Sequence, residues 1–414
     1  MIICLVVITD SLQDKEKKFI VDIARRIIPI RSISPESGGK GESERADELC
    51  KILDEMGFKG YSRYDVEDKG GFRRSSVVLK SGRKEKTLWI VAHIDTVPEG
   101  DLSLWTRSPF TVTLEKDRIY GRGTSDNGQA ILLSMLLLKN LRKDELNYNL
   151  GIAFVADEEM GSNYGIQHLL EKDIFREGDL IIVPDAGTEE GNEVEVAEKS
   201  ILWLKIKTTG KQYHASMPFN AINASREGMK FVLELDRHLH EKFKDSVDIF
   251  SPPYSTFEPT KHEKNVDNIN TIPGVDVQYM DCRILPGYDL VVVMDQIELK
   301  MREFEKDSKA KISYEVIQKE QAPARTPENA EIVERLIKSI RKTRNIEPKV
   351  IGIGGGTCAA YFRKKGFDAA VWCTTVAESA HKPDEYMILD HVLKDRDVIE
   401  DILYGRGDQP INAD

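Results

Sequence analysis

The sequence predicts an α/β protein in which helices flank a mixed, mainly parallel sheet and a smaller α+β domain interrupts the larger one. Three observations support this prediction. The chain has 414 residues, more than one ordinary domain usually holds. Apolar strands alternate with helices, which is typical of a parallel sheet covered on both faces. Between residues 199 and 321 the strands instead alternate polar and apolar residues, as half-buried strands do.

The first part of the larger domain, residues 1–198, supplies the predicted parallel sheet. Three segments have the apolar pattern of helices: 12–32, 43–57 and 127–143. Three apolar strands each end in polar residues: 87–96, 148–159 and 179–187. Because ligands bind at the carboxyl ends of the strands in such sheets, these polar residues are the first candidates for a functional site.

The inserted domain, residues 199–321, is predicted to form an open sheet with helices. Its elements are strands at 201–211 and 311–319, a long alternating strand within 270–287, and helices at 220–243 and 290–307. The loop between 250 and 268 leaves room for another strand. The open edge of this sheet is a candidate dimerisation surface. The larger domain resumes over 322–414, with a helix at 332–342 and strands at 349–356 and 367–375.

Composition excludes several classes of protein. The net charge is -11, and the absence of a basic stripe argues against a nucleic-acid partner. Five cysteines at wide spacing, without a C-x-x-C pair, argue against a disulfide framework and favour a reducing cytoplasm. The apolar start, MIICLVVI, is too short to span a membrane. It is interpreted as a buried strand or as residues upstream of the true start, and no other segment predicts a membrane span.

Polar residues at the ends of the first two strands are the strongest individual candidates. His93 and Asp95 form H-I-D, and the strand period of two points both side chains to one face. A hydrogen-bonded structural histidine is an equally good interpretation of this pair alone. Glu158 and Glu159 are adjacent acids, whose joint burial is costly unless a cation offsets it. A solvated pair of acids at a strand end is the alternative.

Three more residues become candidates through their positions. Asp126 precedes the apolar helix at 127–143, where capping that helix is the simpler interpretation. Asp185 ends the next strand, and His381 lies in a loop far downstream. Except for His381, all these candidates fall at strand ends or on the loop leading from one. A set of His, Asp and Glu without Cys suits zinc or a similar divalent ion.

These residues belong to a series of motifs that resembles a known family. The chain resembles the dizinc amidohydrolases and exopeptidases that include succinyl-diaminopimelate desuccinylase, acetylornithine deacetylase, aminoacylase and carboxypeptidase G. The resemblance extends from about residue 15 to 405. Its motifs occur in order: A-H-I-D-T-V-P, G-R-G-T-S-D, D-E-E-M-G-S, V-P-D-A-G, G-K-Q-Y-H-A-S-M-P, R-I-L-P-G and G-G-G-T, followed by the late histidine.

The resemblance implies a fold and a metal centre. It implies a zinc-exopeptidase-like catalytic domain and a ferredoxin-like lid and dimerisation domain. It also implies two divalent metal ions per subunit, with zinc favoured over cobalt or manganese. The implied ligands are His93, Asp126, Glu159, Asp185 and His381. Asp126 would bridge the two ions; His93 and Asp185 would complete one site, and Glu159 and His381 the other. A cis peptide bond is expected after Asp126.

Further roles follow from the same resemblance. Asp95 would orient His93, and Glu158 would act as the general base. His214 would polarise the substrate carbonyl, usually by reaching across a dimer. The remaining implied contacts bind substrate, chiefly its carboxylate: Asn270, Arg283, Gly354, Gly355, Gly356 and Thr357.

The sequence thus predicts a metal-dependent hydrolase that cleaves the amide bond of an N-acyl amino acid. Water bridging two zinc ions would attack, with Glu158 as base. A dipeptidase or aminopeptidase with the same centre is the alternative, because desuccinylases and deacetylases usually carry a glutamate where this chain has Asp185. Asn127-Gly128 also departs from the Met-Lys of many relatives. The expected substrate is a small N-acyl amino acid or short peptide.

Two rivals come from other classes. A catalytically inactive binding protein would not need Glu158, and a two-metal phosphoesterase would not need the carboxylate contacts around Arg283. The remaining histidines match none of the motifs and are expected on helix faces or the surface: His168, His238, His240, His262 and His391.

Overall fold

The computed structural model describes residues 11–405, which form two compact units. The larger unit runs to Val196 and includes Thr326–Val350 and the chain from Thr357 onward. The smaller unit comprises Ala197–Arg325 and also Ile351–Gly356, which the sequence assigned to the larger domain. Hydrogen bonds within the smaller unit explain this difference. The Lys199 N–H donates to Ile353 O over 3.0 Å.

A mixed sheet of eight strands forms the centre of the larger unit. Its strands in chain order are β1 Ser62–Glu67, β2 Arg73–Ser81, β3 Thr87–His93, β6 Asn149–Val155, β7 Leu180–Thr188, β8 Glu193–Glu198, β15 Lys349–Ile353 and β16 Ala369–Thr374. Three short strands make a second sheet: β4 Thr113–Glu115, β5 Arg118–Tyr120 and β17 Tyr386–Ile388. The helices are α1 Leu12–Ile27, α2 Ser43–Glu55, α3 Gln129–Lys139, α4 Ile166–Leu169, α7 Glu331–Arg344, α8 Cys358–Lys364 and α9 Leu389–Tyr404.

The order of the large sheet is β1-β2-β6-β3-β7-β16-β8-β15. The neighbours β6, β3, β7 and β16 run parallel, whereas β1, β2 and β8 pair antiparallel. β3 and β6 are buried along their whole length, as expected for strands covered on both faces. The predicted mixed sheet flanked by helices is therefore confirmed. Its parallel centre brings the carboxyl ends of β6, β3 and β7 to one edge.

The helix limits follow from local signals. α1 starts with a capping box in which Ser11 and Asp14 bond to each other's backbone N–H groups. It ends at Ile27, short of the predicted residue 32, because Pro29 has no N–H with which to continue the helical hydrogen bonds. α3 begins at Gln129 rather than 127, since Asp126 has an extended backbone (φ -118°, ψ 96°). Only Lys139 of α3 is not buried, so this helix lies in the core.

The smaller unit contains a four-stranded antiparallel sheet packed on two helices. Its strands are β9 Ser200–Thr209, β11 Thr256–His262, β13 Val275–Ile284 and β14 Lys311–Glu320, in the order β11-β13-β9-β14. β11 occupies the loop in which the sequence left room for a strand. The helices are α5 Ala224–Lys242 and α6 Leu290–Asp307, and a two-stranded ribbon joins β10 Tyr213–His214 to β12 Thr271–Ile272. The long alternating strand predicted within 270–287 is β13, and Pro273-Gly274 separates it from β12.

Several elements were not predicted from the sequence, including β1, β2 and α9. The apolar segment MIICLVVI lies outside the described residues. Between residues 11 and 405, no helix is both long and apolar enough to cross a membrane. Cys50, Cys282, Cys358 and Cys373 are free thiols.

One of the unmatched histidines is buried rather than on the surface. His391 on α9 is 5% exposed, and its Nδ1 has no hydrogen-bond partner within residues 11–405. Burial, together with Lys394 and Arg344, lowers the pKa of His391 to about 4, against the opposing effect of Asp390 and Asp117. The folded protein thus holds this imidazole neutral at pH values where the unfolded chain would protonate it.

We expect this histidine to make the protein less stable in mild acid. The folded pKa of about 4 lies below the unfolded value, so the contribution of His391 to stability is complete above about pH 6.5 and falls as the pH drops toward 4. The loss amounts to about 3 kcal/mol at most. Denaturant unfolding of wild type and His391→Gln from pH 7 to 4.5 tests this, because the variant should lose less stability. Equal losses in the two proteins would contradict the assignment.

Candidate metal centre

His93 is the point from which the candidate centre is built. It is the last residue of β3 and is 3% exposed. Its Nε2 lies 2.7 Å from Asp126 Oδ1 and 3.4 Å from Asp185 Oδ1. Its Nδ1 lies 3.1 Å from the carbonyl oxygen of Asp95. A hydrogen bond from Nδ1–H to that oxygen leaves Nε2, which faces the carboxylates, as the nitrogen that can bind a metal.

Asp126 lies between the two histidines and does not cap α3. Its second carboxylate oxygen, Oδ2, is 2.9 Å from Nε2 of His381. The Asp126–Asn127 peptide bond is cis, as the sequence predicted. The Asn127 side chain donates to Asp185 Oδ1 over 2.5 Å and to Pro184 O over 2.9 Å, which links the loop of Asp126 to β7.

Asp95 holds the loop that carries the two adjacent glutamates. Its carboxylate is fully buried and accepts the N–H groups of Glu158 and Glu159, each over 3.0 Å. The preceding residue, Asp157, has a left-handed backbone (φ 65°) and binds the buried Arg74 over 3.0 Å. Asp95 therefore fixes the position of Glu158 and Glu159, in addition to lying 3.4 Å from His93 Nδ1.

The late histidine completes the cluster. His381 is half-exposed, and its Nε2 lies 3.3 Å from Glu159 Oε1. The cluster thus brings together all six residues that the sequence named as ligands or base: His93, Asp126, Glu158, Glu159, Asp185 and His381. His93, for which a structural role was the alternative, and the acids, for which separate solvation was the alternative, therefore meet in one site.

The donor atoms fit divalent metal ions. Two overlapping triads have their donor atoms within 4.8 Å of one another: His93, Glu158 and Asp185, and His93, Asp126 and Glu159. Glu159 Oε1 is buried, and its partner is Nε2 of His381, 3.3 Å away. Carboxylates and imidazoles without thiolates are the donors that zinc, cobalt and manganese share. The first triad pairs His93 with Asp185, as the resemblance implied, but also includes Glu158.

The electrostatics of the cluster are those of acids crowded together. Burial, reinforced by the charge of Asp185, raises the pKa of Glu158 well above its usual range. Hydrogen bonds to Asp126 and Glu159 raise the pKa of His381 to about 10. Without a metal, protons must therefore supply part of the positive charge that the carboxylates require. A divalent ion would supply it instead, since metal binding displaces protons from such ligands.

The candidate substrate contacts of the smaller unit fall into two groups. His214 on β10 and Asn270 lie close together, because Asn270 O accepts the N–H of Ala215 over 2.8 Å. Arg283 on β13 donates from Nη1 to Gly354 O over 2.9 Å and binds both oxygens of Asp281. Gly355 and Gly356 continue this loop. Thr357 belongs to the larger unit, where its Oγ1 caps α8 by accepting the Ala359 N–H over 3.1 Å.

Sequence reasoning missed two buried residues next to the cluster, Arg122 and Glu385. Arg122 is the arginine of G-R-G-T-S-D, and Glu385 follows His381 by four residues in H-K-P-D-E. Their side chains form an ion pair of 2.6 Å with almost no exposure. Their proximity in sequence to Asp126 and His381 was the one available signal.

Comparison with known proteins agrees with this geometry. Residues 89–405 match the family model described as Peptidase family M20/M25/M40. An uncharacterized metallohydrolase of Methanocaldococcus jannaschii is 42% identical over 398 residues, which are 91% of this chain and 97% of that protein. A succinyl-diaminopimelate desuccinylase of Orientia tsutsugamushi is 24% identical over 386 residues, covering 90% of this chain and 92% of that protein.

A solved structure supports the fold. An M20 family metallo-carboxypeptidase from Sulfolobus solfataricus superposes with a TM-score of 0.72 at 22% sequence identity. The match covers 94% of this chain and 98% of that one. At this identity the likeness establishes the fold, and the chemistry has to be argued from the residues.

We expect divalent metal to stabilise the folded chain. Protein stripped with a chelator should show a higher unfolding temperature after addition of zinc, cobalt or manganese, because an ion that binds only the folded state shifts the equilibrium by mass action. Asp126→Ala removes the carboxylate between the two histidines and should abolish most of the shift. A stripped wild-type protein whose unfolding temperature responds to none of the three ions would contradict the metal centre.

Proposed function

The chain belongs to peptidase family M20/M25/M40, and we propose that it is a two-metal amidohydrolase that removes the acyl group from an N-acyl amino acid. Hydrolysis of amide bonds with the help of divalent metal is the activity of this family. We propose that the substrate is like that of a deacetylase or desuccinylase. We also propose that the ions are two in number and are zinc. Cobalt or manganese are the alternative metals.

One observation carries the proposal. The carboxylate of Asp126 lies 2.7 Å from His93 and 2.9 Å from His381, with one oxygen toward each. Glu159 accompanies His381 on one side and Asp185 accompanies His93 on the other. A carboxylate placed between two histidine–carboxylate pairs suits a bridging ligand, and this supports the five ligands His93, Asp126, Glu159, Asp185 and His381.

Glu158 is the proposed general base. When bound, the ions act as Lewis acids that lower the pKa of water and stabilise negative charge on the carbonyl oxygen. Glu158 is adjacent to a ligand but is not needed as one. Its carboxylate takes the proton from the attacking water and then gives it to the leaving nitrogen. Asp95 contributes by holding the backbone of Glu158 through the 3.0 Å hydrogen bond.

His214 and Arg283 are the proposed groups that recognise substrate. The Ser216 N–H donates to Nδ1 of His214 over 3.2 Å, so that Nδ1 is an acceptor and Nε2 carries the proton. An imidazole with Nε2–H suits donation to a carbonyl oxygen as it gains negative charge. Arg283 and the loop Gly354–Gly356, with Asn270 and Thr357, are assigned to the substrate, chiefly its carboxylate. The guanidinium fork of Arg283 fits two carboxylate oxygens.

A dipeptidase or aminopeptidase with the same centre is the second candidate. Asp185 supports it, because the resemblance links an aspartate at this position with some dipeptidases and aminopeptidases. A homodimer formed through the smaller unit and a cytoplasmic location stay predictions from the sequence. The presence of Glu158 beside a full set of ligands argues against an inactive binding protein, and the proposed carboxylate contacts argue against a phosphoesterase.

Replacing the base should separate metal binding from turnover. Glu158→Gln keeps the shape of the side chain but cannot accept a proton, so kcat should fall by about 10²–10⁴-fold. Metal content, measured on the same preparation, should equal that of wild type. A variant that retains its activity would reject Glu158 as the base, whereas loss of metal would make it a ligand.

A substrate panel should decide between the two candidate functions. Metal-loaded protein is expected to hydrolyse N-acetyl or N-succinyl amino acids with a higher kcat/KM than dipeptides. The amide or ester of the same acyl amino acid should be a poor substrate, because it lacks the carboxylate for Arg283. Faster hydrolysis of dipeptides with a free amino group would favour the peptidase, and cleavage of a generic phosphate ester alone would exclude both.

A further inference from the structure

Glu385 connects the loop of the late histidine to the loop of Asp126. It follows His381 by four residues, and its side chain is 1% exposed. One carboxylate oxygen, Oε1, accepts the backbone N–H groups of Ser125 over 2.9 Å and Asp126 over 3.1 Å. The backbone oxygen of Glu385 accepts the N–H of Gly121 over 2.9 Å. One residue therefore holds the 121–126 loop at three points.

Arg122 fixes the other oxygen of the same carboxylate. Its Nη1 donates to Glu385 Oε2 over 2.6 Å, and its guanidinium lies 5.2 Å from the centre of the Trp105 ring. Arg122 is 2% exposed, so this is a fully buried ion pair. Such a pair adds little net stability, because desolvation of both charges offsets much of their attraction. Its geometry, in contrast, is strongly restricted, since Arg122 binds one oxygen of the carboxylate and two backbone N–H groups bind the other.

The other side of the His381 loop is anchored in the same way. The carboxylate of Asp384 accepts the N–H of Thr106 over 3.0 Å and its hydroxyl over 2.6 Å. His381 and Asp384 both have left-handed backbones, with φ 62° and 55°. Residues 381–385 belong to neither a helix nor a strand, so these side-chain contacts define where the loop lies.

We propose that Glu385 is a positioning residue that holds Asp126 and His381 in their metal-binding arrangement, with Arg122 fixing its carboxylate. The inference rests on the proposed function for the existence of the metal centre. Asp126 has one oxygen toward each histidine, at 2.7 and 2.9 Å, so a small movement of its backbone lengthens one of the two contacts. Glu385 binds the N–H of Asp126 and shares a loop with His381. It therefore acts on two of the proposed ligands, Asp126 and His381, together.

The chain offers a matched control for a purely structural role. Glu195 on β8 forms a bidentate ion pair with Arg363, at 3.0 and 3.1 Å, and both side chains are 2% exposed. In the sheet, β16 separates β8 from β7, which carries Asp185. Glu385→Gln and Glu195→Gln thus remove the same charge from similarly buried pairs, one linked to the metal ligands and one outside the site.

The experiment compares metal binding in metal-free wild type, Glu385→Gln and Glu195→Gln. Calorimetric titration with zinc and with cobalt gives the affinity and stoichiometry, and thermal unfolding of the metal-free proteins gives the loss of stability. Glu385→Gln is expected to weaken binding about 10–100-fold, the usual effect of losing a partner that orients metal ligands. Glu195→Gln should bind as wild type does. The activity of Glu385→Gln should recover as the metal concentration is raised, at a temperature where the metal-free variant is fully folded, so that metal-induced folding cannot account for the recovery.

The outcomes separate this inference from the proposed function. Wild-type affinity in Glu385→Gln, or an equal loss in Glu195→Gln, overturns the positioning role and leaves the proposed function intact. A wild-type protein that binds no metal overturns both. If Glu385→Gln does not fold, Arg122→Lys replaces it, because lysine keeps the charge but not the position of Nη1. An affinity about 10-fold weaker is then expected, and an unchanged affinity overturns the inference.

Discussion

The crowding of carboxylates at one edge of the parallel sheet is the constraint on which the rest of the site depends. β6, β3 and β7 are neighbours and run in the same direction, so whatever follows each strand meets at the same edge. Here His93 ends β3, Glu158 and Glu159 follow β6, and Asp185 lies on β7. Four acidic side chains, including Asp126, then share a small volume with two imidazoles. A group of like charges in a poorly hydrated site requires positive charge, which divalent metal supplies.

The loops at this edge are held by buried polar contacts rather than by regular secondary structure. Asp95 binds the backbone of Glu158 and Glu159, and Asn127 binds Asp185. Glu385 binds the backbone of Asp126. Each of these contacts joins residues that are distant in sequence and fixes a loop that carries a proposed ligand. The apolar core beneath, with β3, β6 and α3 buried almost throughout, makes the strand ends rigid supports for these loops.

How much of the site could be predicted from the sequence varied from residue to residue. His93, Glu158 and Asp185 follow strongly apolar strands, and that pattern located them without any knowledge of their partners. Asp126 was harder, because an aspartate before an apolar helix is also a common helix cap. The structure excludes that interpretation, because Gly128 is the N-cap of α3 and the Asp126 carboxylate faces His93 and His381 instead. The burial of His391 on its helix was not predicted, because a single polar residue on a helix carries no sign of whether it faces the core.

The sequence by itself determined the fold class, the parallel centre of the sheet and the strand ends that carry acidic residues. These follow from apolar periodicity, a local property that can be read one segment at a time. The resemblance to a known family named the residues of the centre, and only the tertiary structure showed the contacts through which they meet. The break at Pro273-Gly274, the association of Ile351–Gly356 with the smaller unit and the contact of Glu385 with Asp126 depend on contacts between distant segments or on local backbone geometry. Such contacts leave little periodic signal, because one buried hydrogen bond requires a single residue at a single place.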